Sequence, residues 1–349
     1  MNTEVYNRSL AKAERVRALL RRKKVSKTLQ ALLSASLLAY LASILKWREL
    51  LHLIQETKSN LLLIAPILLL LAVLFSAARW YYILKDMNIN RKIKQLYSYY
   101  LIGMFYSVFL PGAIGGDVAR VAGCNSEEDD SLTKITTSVI IERICGLTAL
   151  FLMGSFAISF LLPPSALSAL GTSVIIYVKI VSIALFVVLL VLLFKNLLGY
   201  TSVLEHKFER LKRGFPNILG SIKQLTRVTV LVTFIFSGLF QSFDIVSSFI
   251  IAKALGMSIS LPLLFAIMPV VYMFTILPVS LGGLGVREGS LVFLLTKVNV
   301  PASDAVALSF MLYINRVAVG TLGGIIHLFS AKPVKTIILV KNEMCFIQL

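Results

Sequence analysis

The chain has 349 residues, of which 57% are hydrophobic and only 15% charged, with a mean hydropathy of +0.84. These proportions exclude a soluble globular protein, because a water-facing fold of this size cannot hide so much apolar surface. A formal charge of +18 would suit a nucleic-acid binder, but phosphate binding needs basic residues gathered on one face, and here they are distributed between apolar runs.

A basic leader, residues 1–27, carries nine Lys and Arg and precedes a first apolar run at 28–45. That leader is too long for a cleavable signal, so the run reads as a retained span. Further runs of about 20 residues or more, enough to cross a bilayer, lie at 61–84, 132–162, 172–194, 228–252 and 304–330. The segments 1–27, 85–94, 195–227 and 332–341 hold 23 Lys and Arg, whereas 46–60, 163–171, 253–260 and 289–303 hold five. The positive-inside rule then predicts a multi-pass protein of the plasma (inner) membrane with both termini cytoplasmic. Trp47, Trp80, Tyr81 and Tyr82 close two of the runs, where ring belts are expected. Arg79 is placed near the cytoplasmic end of its span, able to snorkel. The tail, 331–349, is predicted to be cytoplasmic.

Two shorter apolar stretches break the pattern. Residues 97–114 lie between two basic, cytoplasmic segments, so they are predicted to enter the membrane and turn back; 261–281 is expected to do the same from outside. Both carry a self-match. LPGAIGGDVAR at 110–120 and LPVSLGGLGVR at 277–287 align Pro111 with Pro278, Gly115 and Gly116 with Gly282 and Gly283, and Arg120 with Arg287 at one offset of 167. IERICG at 141–146 pairs with INRVAV at 314–319, and Met87-Asn-Ile-Asn with Met257-Ser-Ile-Ser. The expected fold is therefore an all-α polytopic membrane domain, 28–330, of six full spans plus two re-entrant broken segments. Its repeat halves, about 61–162 and 228–330, are inverted, as in many transporters. Proline ends a helix ladder and glycine accepts the reversal. Irregular backbone at such depth is tolerated only beside protein or water, so both turns, with Asp117, Gly285 and Glu288, should line a polar interior.

Glu142, Arg143, Asn315 and Arg316 fall within spans, where an ionisable group costs about 2.5–3.5 kcal/mol on insertion scales. Two readings stay open. Arg143 and Arg316, with Arg120 and Arg287 nearby, can present guanidiniums to an anionic headgroup, or Glu142 and Asp117 can pair with them to hold the bundle. Ser237, Gln241, Asp244 and Ser248 share one helical face, which is predicted to point inward. Gly320 and Gly324 have the small-xxx-small spacing of close helix packing. Cys124, Cys145 and Cys345 suggest no structural disulfide. His52, His206 and His327 lack metal-ligand spacing, so neither a metal nor another cofactor is expected.

On FLPGAIGGDVAR, IERICGL and LPVSLGGLGVREG, at 109–120, 141–147 and 277–289, the chain resembles the lysylphosphatidylglycerol synthase transmembrane region family, also called flippase-like or UPF0104. The resemblance implies a lipid flippase or carrier, without the soluble synthase domain that some members carry. The expected partner is then a membrane lipid, an anionic phospholipid or a polyprenyl phosphate, and not nucleic acid. Its headgroup is expected at Arg143, Arg316 and the Gly-Gly turns, with rocking of the halves exposing it alternately. An enzyme that modifies lipid headgroups would need a catalytic constellation that the residues do not display, so no enzymatic activity is expected. An accessory subunit of a synthase or glycosyltransferase is the other alternative.

Overall fold

The computed structural model describes residues 59–109, 115–125, 132–194, 222, 224–276, 285–329, 336–340 and 343–347. The leader, the run at 28–45, Pro111, Pro278, Gly282 and Gly283 lie outside the described residues. Ten helices are described: α1 (Ser59–Asp86), α2 (Ile93–Phe109), α3 (Gly115–Asn125), α4 (Leu132–Phe156), α5 (Pro164–Leu170), α6 (Thr172–Phe194), α7 (Arg227–Ala254), α8 (Leu261–Ile276), α9 (Val286–Lys297) and α10 (Ala302–Phe329). At its far end α4 widens into a π turn, with Leu162 N–H donating to the Ala157 carbonyl at 3.1 Å.

Five of these stretches are long and apolar enough to cross a membrane: Asn60–Asp86, Leu132–Leu161, Thr172–Leu193, Arg227–Ala254 and Ala302–Phe329. They fall on five of the six predicted runs. Their burial is inside out relative to a soluble bundle. Leu63, Phe160, Ile180, Ile183 and Leu328 are exposed, while Ser138, Glu142, Thr233, Ser237 and Asp244 are buried. Exposed leucine and phenylalanine beside a polar interior is what hydrocarbon, and not water, selects. The protein is an integral membrane protein.

The order long helix, medium helix, short helix, long helix occurs twice, as α1–α4 with 28, 17, 11 and 25 residues and as α7–α10 with 28, 16, 12 and 28. The first turn of each quartet is built alike. Ile89 N–H reaches the Leu84 carbonyl at 2.9 Å and Met257 N–H the Ala252 carbonyl at 3.0 Å, each closing its helix around a left-handed residue, Asn88 at φ 60° and Gly256 at φ 74°, as helix ends of this type require. Ile89 thus corresponds to Met257. The sequence alignment of Met87 with Met257 is corrected by two residues.

Each quartet leans on the other. α1 and α7 pack antiparallel along their lengths: Ser247 Oγ donates to the Ala65 carbonyl, Arg79 to Ser237, and Thr226 N–H to Asp86. α2 lies against α10, and α8 against α4. At the first crossing, a Cβ on Gly323 would stand 1.9 Å from the Leu101 carbonyl oxygen, so only glycine allows that approach. The Gly320/Gly324 spacing gives the right face but not its tightest point; Gly324 meets the Phe105 ring, while Gly320 has ordinary contact distances to Met104. At the second crossing, Pro269 has no N–H to offer the Phe265 carbonyl, and Gly154 of α4 packs beside that freed oxygen.

The tail departs from the all-α expectation. β1 (Thr336–Val340) and β2 (Glu343–Ile347) form an antiparallel hairpin with Thr336 opposite Ile347 and Val340 opposite Glu343.

Candidate functional site

Between the quartets lies a cavity of about 330 Å³ whose walls come from seven of the ten helices. In the first quartet Glu142 of α4, 2% exposed, gives one carboxylate oxygen to each of two guanidiniums. Arg79 Nη2 of α1 donates to Oε1 at 2.5 Å and Arg120 Nη1 of α3 to Oε2 at 2.7 Å. Arg79 Nη1 also reaches Ser237 Oγ of α7 at 3.0 Å. The Ser237 bond offsets part of the cost of burying the charge, while Arg79 Nε has no partner among the described residues. Asp117, in the first turn of α3, accepts from Arg120 Nε at 3.0 Å and from Arg143 Nε at 2.5 Å. The Arg120 guanidinium lies over the rings of Trp80 and Tyr100, 5.1 and 4.5 Å from their centroids, where ring faces attract cations.

This overturns two sequence readings. Arg79 does not snorkel; it is 6% exposed at the centre of the network. Trp80 is fully buried, its Nε1–H bonded to Ser138 Oγ at 2.8 Å, and is no belt residue. Local pattern could not reveal either, because Glu142 and Ser138 lie 63 and 58 residues away in sequence. The one available signal was an arginine inside an apolar run while another run carried a glutamate.

The second quartet is quieter. Asp244 of α7 accepts from Arg316 Nη2 of α10 at 3.2 Å and from the Tyr272 hydroxyl of α8. Asn315 Nδ2 donates to Ser247 Oγ at 3.1 Å. Set beside the first quartet, Asn315 precedes Arg316 as Glu142 precedes Arg143, and Ser247 of α7 is 168 residues beyond Arg79 of α1, the same offset as Asn88 to Gly256. A buried ion pair in one quartet is matched by a neutral hydrogen bond in the other. Arg287 Nη2 bonds Glu288 Oε1 at 2.7 Å, and Glu288 Oε2 accepts the Gly285 N–H at 2.6 Å, stapling the start of α9. Gly285, at φ 84°, provides the turn. Arg287 and Asn315 line a small void adjoining Asp244 and Arg316 instead of the main cavity.

Of the predicted site residues, the main cavity gathers Gly116, Asp117, Arg120, Glu142, Arg143, Gln241, Asp244 and Arg316. Tyr272 and Arg79 join them without having been foreseen. Gly115 is buried at the start of α3. A Cβ on Gly116 would stand 2.5 Å from the Gly103 carbonyl oxygen, so this glycine serves the close approach of α3 to α2. Ser237, Gln241, Asp244 and Ser248 are all buried; Gln241 Nε2 donates to the Gly146 carbonyl at 3.3 Å, and its Oε1 has no partner among the described residues. No group of three or more His, Cys, Asp or Glu among the described residues could hold a metal ion.

The four cavity arginines, Arg79, Arg120, Arg143 and Arg316, outnumber the three cavity carboxylates, Asp117, Glu142 and Asp244, by one formal charge. They also differ in access. The Arg79 and Arg120 side chains are 7% and 4% exposed, whereas those of Arg143 and Arg316 are 36% and 37% exposed. The geometry thus separates two cations that hold the bundle from two that face the cavity.

The family model of the lysylphosphatidylglycerol synthase TM region matches residues 27–324. The chain belongs to this family. No curated protein matches it. Within the family match lie the first quartet, the second up to residue 324 and every charged residue of the cavity, so the site is part of the family's lipid-related membrane domain and not an addition to it.

Proposed function

We propose that the protein is a lipid translocator: the headgroup of an anionic membrane lipid enters the cavity between the quartets and meets Arg143 and Arg316, while its tails stay in hydrocarbon. The observation that carries this reading is that two partly exposed guanidiniums, one from each quartet, face the same half-open cavity inside a bundle with an apolar exterior. Such a cavity gives a phosphate group hydrogen-bond donors at a depth where the bilayer itself has none. Gln241, with an unspent amide oxygen, adds a polar wall for the rest of the headgroup.

The antiparallel α1/α7 pair and the reciprocal packing of α2 on α10 and α8 on α4 support an inverted repeat about an axis between α1 and α7. On this reading the α2/α3 and α8/α9 pairs are the re-entrant segments, the span at 28–45 completes the set of six, and both termini are cytoplasmic in the plasma membrane. The protein acts as a carrier and performs no chemistry on the lipid.

Reconstitution into liposomes tests the proposal. Labelled anionic lipids such as phosphatidylglycerol or a polyprenyl phosphate should exchange leaflets faster than in empty vesicles, and phosphatidylcholine should not. No acceleration for any anionic lipid, at verified protein incorporation, rejects it. Recovery of a headgroup-modified product by mass spectrometry would identify an enzyme instead.

A further inference from the structure

We infer that Asp244 is a proton acceptor coupled to the anion: the lipid phosphate displaces it from Arg316, and the released carboxylate takes up one proton. The inference rests on the lipid-anion reading of the cavity and adds a second, co-transported species to it.

The three cavity carboxylates are not equivalent. Glu142 holds Arg79 and Arg120, and Asp117 holds Arg120 and Arg143. Each keeps one arginine if a ligand takes the other. Asp244 has one arginine, Arg316, at 3.2 Å, the longest of these ion pairs, and otherwise the Tyr272 hydroxyl. Arg316 is also one of the two cations that a ligand can reach. A phosphate oxygen that accepts the Arg316 N–H groups in its place therefore leaves Asp244 with no paired cation among the described residues, although its own side chain is only 7% exposed.

Among the described residues no other cation is paired with the Asp244 carboxylate. On α7 the neighbours are neutral: Ser248 spends its hydroxyl on the Asp244 backbone carbonyl, and Gln241 its amide on Gly146. α8 presents Tyr272. α9 presents Arg287 across the small void, with Nη2 on Glu288 and Nε without a partner among the described residues, but with no hydrogen bond to Asp244. α10 presents Asn315, bonded to Ser247. Across the cavity, Arg79 and Arg120 are held by Glu142 and Asp117 at 2.5–2.8 Å, and Arg143 by Asp117. A buried carboxylate without a counter-charge neutralises itself by binding a proton. One negative charge enters with the phosphodiester and one proton enters from cavity water, so the formal charge of the site is the same before and after. No bond in the lipid is made or broken.

Proton uptake is measured directly by titrating the detergent-purified protein with dihexanoyl phosphatidylglycerol in buffers of different ionisation heat at neutral pH. Linkage requires the binding heat to vary with the buffer, corresponding to about one proton per bound anion. Asp244→Asn should bind the lipid with uptake reduced to near zero. Tyr272→Phe, which leaves Asp244 and Arg316 in place, should retain the uptake. A buffer-independent heat in the wild-type protein, or undiminished uptake in Asp244→Asn, overturns the coupling while leaving lipid binding intact. Absence of binding, with phosphatidylcholine as the neutral comparison, overturns both this inference and the reading on which it rests.

Discussion

Arg143 and Arg316 occupy matching places on the last helix of each quartet, with side chains 36% and 37% exposed, and both open on one cavity. Each pairs with an acid of its own quartet, Asp117 or Asp244. Replacing either should weaken the hold on an anionic ligand. Arg143→Ala and Arg316→Ala should each weaken binding of short-chain phosphatidylglycerol about tenfold, the scale of one lost charge-assisted hydrogen bond; Arg143→Ala, which leaves Asp117 paired with Arg120, should shift the melting temperature little, and Arg316→Ala, which leaves the buried Asp244 without its arginine, should lower it more. Calorimetric titration and thermal melting on the same preparations separate the two effects.

Glu142→Gln should behave in the opposite way. It removes the charge that two buried guanidiniums share, and breaking a buried pair from one side costs about 3–5 kcal/mol. Arg79→Ala should destabilise comparably, because it leaves Glu142 with one cation and Ser237 without its donor. Melting curves in detergent check this: a stability loss no greater than that of Arg143→Ala would show that the Glu142 network does not hold the bundle.

Gly323→Ala adds only a methyl group, yet that carbon would stand 1.9 Å from a backbone oxygen on α2. Neither partner can rotate away, so the helices must separate, and a drop of several degrees in melting temperature is expected. Gly320→Ala meets nothing closer than 3.5 Å and should be nearly silent. Equal effects at the two positions would mean that α2 and α10 cross elsewhere.

The opposed direction of α1 and α7 sets the two left-handed turns at opposite ends of the helix pair, and the proposed inverted repeat expects them on opposite faces of the bilayer. In a cysteine-free background, Asn90→Cys should react with an impermeant thiol reagent only from the cytoplasmic side and Ser258→Cys only from the other; both positions are exposed. Labelling of both from one side would eliminate the inverted arrangement.

The spans were legible because hydrocarbon demands unbroken apolar runs, and the five described ones coincide with the hydropathy pattern. Arg143, Arg316 and the α7 stripe were legible because a polar residue inside such a run is conspicuous against it. Arg79 and Trp80 were not. Both sit near the end of a run, where snorkelling and ring belts are the commoner explanations, and their partners lie on α4 and α7, which no local pattern connects to α1. Gly323 escaped for a related reason: a four-residue glycine spacing marks a helix face, but which glycine touches depends on the crossing geometry. The two-residue slip at Met87 arose because matching letters were aligned where the backbone aligns left-handed φ angles.

The contact at Gly323 carries a consequence for how the molecule moves. α2 is locked, main chain to main chain, onto a helix of the other quartet, and α8 is seated on α4 through Gly154 and Pro269 in the same exchanged manner. The two quartets therefore cannot swing as separate jaws without tearing these seams. Rigid blocks made of one piece from each copy, α2 with α10 and α4 with α8, are the bodies left free to pivot. The quartet that recurs along the chain is then not the unit of motion in the bilayer.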